Sequence, residues 1–295
     1  MITIYCALYA EAQYLIQHYE LKKASVSRHF QVFANDKKRV RLVITGVGKT
    51  NAVVAVAEIS TIYPPAREDI MINYGSCAAE KETAGGVSIS SGSVVMVHKL
   101  TDVESGRTFY PDMIYRHPFS EGEVETSVHV YTASERDESV TKAEFNGQTV
   151  YDMEAAAFYE AGNFFYGPHQ MMFLKVVTDH GVNPTFDRNR FAQIMQTASV
   201  AVAEFLDGLL VFISDADKQK KEMKGDIQVN ADHLAEDLHC SVTMRAELTQ
   251  LLTYWRLAGF DAGKVIDGYY DQGILPCKDK RAGRRLLDEL HNKWL

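Results

Sequence analysis

The chain opens on an almost unbroken apolar run, Ile2 to Leu8, and similar β-branched or aliphatic runs return at Asp69 to Tyr74, Ser93 to Leu100 and Met171 to Thr178. Runs of this length, bounded by Gly, Pro or charged residues, predict strands buried in a sheet. Between them the period changes. Ala12, Leu15, Ile16 and Tyr19 share one side of a helix expected over Ala10 to Tyr19, and a second helix is expected from Ala52 to Tyr63, stopped by Pro64-Pro65. Arg28 to Ala34 and Arg39 to Thr45 read as a hairpin turned through Asn35-Asp36-Lys37-Lys38. Thr101 to Glu123 has no period and predicts a long loop, after which Val124 to Thr132 alternates and returns to the sheet.

Val150 to Tyr159 reads as a strand end turning into a helix that runs to about Phe165, with Asp152 as its cap and Met153 and Glu154 in its opening turn. Phe191 to Ile213 predicts a long helix closing this part, with Phe191, Ile194, Met195, Ala198, Val202, Phe205 and Leu209 at helical spacing. Strands alternating with helices define an α/β domain over residues 1–213. From Ser214 the pattern changes. Asp215 to Lys221 is a charged linker or helix continuation. Met244, Leu248, Leu251, Leu252 and Trp255, then Leu286, Leu287, Leu290 and Trp294, form two helical stripes. Residues 214–295 are therefore expected to be a small helical domain.

Composition narrows the classes. At 46% hydrophobic and 24% charged the chain reads as soluble and globular, and a net charge of −8 argues against a general nucleic-acid binder. Residues 218–295 hold 13 Lys/Arg against 12 Asp/Glu, so the negative charge lies in the first domain. Lys278, Lys280, Arg281, Arg284 and Arg285 cluster in the tail, where a solvated helix face is favoured over a nucleic-acid or protein-docking module. A protein partner for these helices stays open. The four cysteines have no CxxC pair and no histidines at zinc spacing, so reduced thiols, a cytoplasmic setting and no metal site are expected. Met1 to Ala10 lacks a basic leader and is too short to span a membrane, so no membrane association is expected.

The glycine segment Gly46-Val47-Gly48-Lys49-Thr50-Asn51 fits neither familiar phosphate motif. A Walker loop would need glycine at Val43, and a dinucleotide fingerprint would need it at Asn51. What remains is a tight strand-to-helix turn. Candidate chemistry lies in the acids. Glu154 and Asp179 fall at the carboxyl ends of neighbouring elements, where open α/β sheets bind ligands, and Glu11 falls where the first strand gives way to the first helix. Gly75-Ser76 reads as a small-residue turn at a strand end that lets a ligand approach the backbone. Lys175 either pairs with an acid or is solvated, and His180 is not expected to be a base.

Five segments occur together in order: Ala7-Leu8-Tyr9-Ala10-Glu11-Ala12, Thr45 to Ala52, Ile72-Asn73-Tyr74-Gly75-Ser76, Tyr151-Asp152-Met153-Glu154-Ala155 and Val177-Thr178-Asp179. In this the chain resembles the purine nucleoside phosphorylase superfamily, and within it the methylthioadenosine/S-adenosylhomocysteine nucleosidases, across roughly residues 1–213. The resemblance implies a single mixed β-sheet surrounded by helices, with the C-terminal helices an extension outside it. It implies hydrolysis of the N-glycosidic bond of a purine nucleoside without metal or organic cofactor, in a homodimer whose neighbouring subunit helps close the pocket. Asp179 matches the acid that protonates the purine at N7, and Glu11 the carboxylate that positions water. Glu154 matches the acceptor of ribose hydroxyls, Met153 packs on the sugar, and Ser76, after Gly75, lies beside the reaction centre.

Phosphorolysis is the alternative. The chain lacks the phosphate-loop glycine and arginine after its first strand and has Asn73 where phosphorylases carry arginine, which favours water. Ala133-Ser134-Glu135-Arg136-Asp137 is polar where the nucleosidases pack adenine. That leaves room for another base, a larger adenosyl compound, or a nucleoside-binding regulator without turnover.

Overall fold

The structure is a computed structural model that describes residues 1–79, 89–130, 148–181 and 187–294. The chain divides into two compact units, Met1–Val211 and Phe212–Leu295.

The first unit is mixed α/β. Its core strand is β5 (Ile70–Ala79), flanked over its first half by β1 (Ile2–Cys6), to which it runs parallel. Beyond β1 lie β4 (Val40–Ile44), β3 (Gln31–Asn35) and the short β2 (Lys22–Ala24). On its other edge β5 pairs in parallel with β10 (Met171–Asp179), the last strand in the sequence. β10 also pairs antiparallel with β6 (Val94–Asp102), which pairs with β8 (Ser120–Thr126). β8 pairs with β9 (Gln148–Asp152), and β9 returns antiparallel to Ala78 and Ala79 of β5. The pairing therefore closes on itself through β5, β10, β6, β8 and β9. The two-residue β7 (Thr108–Phe109) adds to β6.

Helices α2 (Lys49–Ile62) and α3 (Ala155–Gly162) cover one face, where Ala55, Val56, Ile59 and Phe158 join Tyr5, Val43 and Phe173 in the core. Among the other helices of this unit are α1 (Tyr9–His18) and the start of α4 (Arg188–Asp237). The Tyr74 hydroxyl meets Ser199 of α4 at 2.7 Å. The Arg188–Asp215 stretch is apolar enough by composition to cross a membrane. Phe191, Met195, Ala198, Val202 and Leu209 on it are buried, the pattern of a core helix.

The second unit is helical. It contains the end of α4, α5 (Val242–Leu257), α6 (Ala262–Asp271) and α7 (Lys280–Trp294). Both predicted stripes lie in its core through Met244, Leu248, Leu251, Leu252, Trp255, Leu286, Leu287 and Leu290. Ser241 caps α5 and Asp261 caps α6. In the basic cluster Arg284 pairs with Glu247 and Asp288, while Lys278, Lys280, Arg281 and Arg285 are exposed.

Five expectations need correction. Gly75 to Ala79 is not a turn but the continuation of β5, because β10 and β9 supply its hydrogen bonds. The stretch expected to be a loop up to Glu123 contains β7 and the start of β8, where pairing with β6 and β9 outweighs a polar sequence. β8 then stops at Thr126 instead of Thr132. The helix after β9 begins at Ala155, one residue beyond Glu154, and ends at Gly162. Phe191 to Ile213 is only part of α4, which continues through the charged segment to Asp237.

Candidate active site

Glu11 owes its position to the start of α1. It is the third helical residue, and its Oε2 accepts the Leu8 N–H (2.9 Å), a donor the helix leaves unpaired. Its Oε1 accepts both the N–H (2.8 Å) and the hydroxyl (2.7 Å) of Ser76 on β5. Gly75 eases the approach, since a Cβ there would lie 3.3 Å from that same oxygen and the carboxylate would have to give by a few tenths of an ångström. Oε1 thus holds two donors and Oε2 one, which leaves Oε2 a lone pair. Glu11 is 2% exposed and lines the cleft.

β9 runs back along β5 and delivers Asp152, Met153 and Glu154 beside Ser76. Asp152 has a structural task. Its Oδ2 accepts the Ala155 N–H at the start of α3 (2.8 Å), and its Oδ1 the hydroxyl of buried Thr126 (2.6 Å), whose oxygen in turn accepts the Ala156 N–H. Lys175 Nζ lies 2.7 Å from Asp152 Oδ2. Lys175 is 1% exposed, so the solvated alternative is excluded and the buried pair is the finding. Burial alone would lower its pKa, but the carboxylates of Asp152 and Glu154 outweigh this and hold it above the ordinary lysine value.

Glu154 is also buried, and its Oε1 accepts the N–H of Gly48 (2.7 Å) at the N-terminus of α2. Gly48 has φ +101° and Gly46 φ +80°, so glycine at these two places is what allows the turn to aim an N–H at the acid. Burial, and then the charge of Asp152, push the Glu154 carboxyl up to about 7. Glu154 is thus poised between its two protonation states near neutral pH.

Asp179 ends β10 at a register shift between Val177 and Asp179. It is exposed, and its oxygens accept the Gly181 N–H (2.9 Å) and the Thr178 hydroxyl (3.2 Å). His180 Nδ1 lies 3.3 Å from the Ala79 carbonyl. Glu11, Ser76, Met153, Glu154 and Asp179 all line one cleft, with Val47 and Val130 on its wall. Gly75 lies beneath Glu11. The polar segment 133–137 lies outside the described residues.

Sequence reasoning missed Gly48 and Thr126 and left Lys175 undecided. A lysine inside a continuous apolar strand was the available signal for the last, because such a charge has to be paired. Gly48 acts through its backbone, and nothing in the residue type marks Thr126. Among the described residues no group of three or more His, Cys, Asp or Glu could hold a metal, and the four cysteines are free.

Carboxylates from three distant parts of the chain thus line one cleft. Glu11 and Asp179 follow or end the parallel strands β1 and β10, the place where α/β proteins bind small ligands, and Glu154 follows β9, which runs antiparallel to β5. The chain has the fold of the methylthioadenosine/S-adenosylhomocysteine nucleosidases. The enzyme of Streptococcus pneumoniae, solved with a transition-state inhibitor, superposes with a TM-score of 0.54 at 22% identity, over 71% of this chain and 97% of that one. The Arabidopsis thaliana methylthioadenosine nucleosidase gives 0.52 at 18% identity, over 72% and 95%. That of Helicobacter pylori gives 0.54 at 12% identity, over 71% and 97%. No protein-family model and no curated protein matches the chain.

Proposed function

We propose that this protein hydrolyses the N-glycosidic bond of a purine nucleoside, with a 5′-modified adenosine such as methylthioadenosine or S-adenosylhomocysteine as substrate. The observation that carries the reading is the convergence of Glu11, Glu154 and Asp179 on one cleft of this fold. Asp179, at the exposed end, is the acid that protonates the departing purine. Glu11, with a lone pair left on Oε2, orients the attacking water, and Ser76 fixes the carboxylate that does so. Glu154 accepts from the sugar hydroxyls through the oxygen that Gly48 leaves free, and Met153 packs on the ribose. Bond cleavage builds positive character on the sugar, which buried carboxylates stabilise.

Water is preferred to phosphate on electrostatic grounds. The described residues lining the cleft include three carboxylates besides Asp152 and no lysine or arginine, a poor place for an anion. Asn73 is buried and donates to the Tyr5 carbonyl instead of facing a ligand. The reading implies a second copy of the chain as partner. Val47, Val53, Val54 and Val130 are between 41 and 69% exposed, and light scattering that gave a monomer would count against it.

The test is chromatographic detection of free base from methylthioadenosine, S-adenosylhomocysteine, 5′-deoxyadenosine, adenosine and inosine, each with and without phosphate. Adenine release independent of phosphate, and abolished by Asp179→Asn, is expected. Release only with phosphate would establish a phosphorylase. Binding without release would mean a nucleoside-binding protein.

A further inference from the structure

Lys49 is absent from the lining of the cleft, yet through the loop after β6 it ties together two of the segments that line it. It opens α2, and its Nζ pairs with Asp102 at the end of β6 and with Glu104 two residues on. Asp102 Oδ1 accepts the Ser105 N–H (2.8 Å). Glu104 Oε1 accepts the Ser127 hydroxyl (2.7 Å) and the Val128 N–H (2.8 Å). One ammonium thus joins the Gly46–Gly48 turn, the loop after β6 and the segment after β8. The first of these carries the N–H that meets Glu154, and the last leads to Val130 on the cleft wall.

The cluster is not an ordinary surface pair. The side chains of Lys49 and Asp102 are 18% and 11% exposed, while that of Glu104, at 38%, is the exposed member. Burial opposes ionisation of Glu104, but Lys49 and the donors of Val128 and Ser127 hold it down at about 2. The three charges therefore persist across the neutral range.

We propose that Lys49, held by Asp102 and Glu104, is a positioning residue that fixes the Gly48 N–H against Glu154 and so orients the carboxylate that receives the sugar. This rests on the reading of Glu154 as the sugar-binding acid. With the clasp open, a turn built on two glycines is free to move, and Glu154 loses the contact that leaves its second oxygen facing the cleft. The loss falls on ground-state binding, so KM changes more than kcat.

Two measurements test this. In base release, Lys49→Met is expected to raise KM about tenfold with kcat within about threefold, and Lys49→Arg to restore it. The second needs no substrate: a carbon-13 NMR titration of the Glu154 carboxyl in the free protein. The groups acting on that carboxyl are Asp152, Lys175, Glu11 and the Gly48 N–H. Losing the N–H disfavours the ionised form, so Lys49→Met raises the midpoint. So does Asp102→Asn combined with Glu104→Gln, although removing two negative charges would by field alone lower it. A midpoint that falls in the double variant, or stays put in both, overturns the clasp. So does an unchanged KM in Lys49→Met. If the wild-type protein releases no base at all, the functional reading fails while the titration still decides on the clasp.

Discussion

Replacing Lys175 by methionine keeps the apolar stem and removes the ammonium, and the geometry around Asp152 sets the cost. Asp152 keeps two donors, the Ala155 N–H and the Thr126 hydroxyl, but loses its counter-charge in a place closed to water. Removing one partner of a buried pair costs about 3–5 kcal/mol, and the two surviving donors place this case near the lower end, at about 3. For a unit of this size that is a fall in Tm of roughly 6–12 °C. The assay has to read the first unit. Both tryptophans, Trp255 and Trp294, lie in the second, so their emission does not report on the first directly. Amide hydrogen exchange along β5 and β10, beside a circular-dichroism melt, reports on it directly. Lys175→Met combined with Asp152→Asn should recover part of the loss, because no unpaired charge remains. A single variant within about 1 kcal/mol of wild type, or a double variant no better than the single, would refute the reasoning.

Two further predictions follow from particular contacts. If Glu154 must be ionised to accept from sugar hydroxyls, nucleoside affinity is full above about pH 7, and calorimetry should show it falling about tenfold per pH unit below that. An affinity flat from pH 5 to 8 would remove Glu154 from the binding step. The sign for stability is opposite: a carboxyl raised from 4.5 to about 7 contributes fully below 4.5, and the contribution is lost as pH rises through about 7. Gly283→Ala tests the second unit, where a Cβ would lie 1.7 Å from the Leu238 carbonyl oxygen. Backbone must shift, at a cost of about 1–3 kcal/mol or more, and tryptophan emission should report an earlier transition. An unchanged transition would mean α7 does not rest on that carbonyl.

The strands with apolar runs were legible because a strand covered on both faces has to be apolar, and the helices because one stripe has to be. Those signals place β1, β10, α1 and α2 to within a few residues of their ends, and β5 at its start. They fail where partners decide. Ser120 to Glu123 is polar yet belongs to β8, since β6 and β9 supply its hydrogen bonds. The small residues Gly75 to Ala79 look like a turn because small residues usually are one, whereas here β10 and β9 pair them into a strand and Gly75 leaves space for Glu11. Glu11, Ser76, Met153, Glu154 and Asp179 were all singled out as candidates, and the structure brings them to one cleft. What the sequence could not express is the support beneath them. A backbone N–H at Gly48, a hydroxyl at Thr126 and the pairing of Lys175 are properties of the assembled sheet.

The closed circuit of strands has a consequence for how the chain is made. Its last member, β10, enters between β5 and β6, so the ring stays open until the residues up to Asp179 have left the ribosome. Until then two long apolar edges face outward with their amides and carbonyls unpaired, the condition that most invites sticking to other chains. Glu11 and Asp179, which line the same cleft, stand 168 positions apart, and bringing together segments so distant in the sequence is entropically slow. The cleft, which needs Asp179 of β10 beside residues from near the start of the chain, is therefore expected among the last features to form.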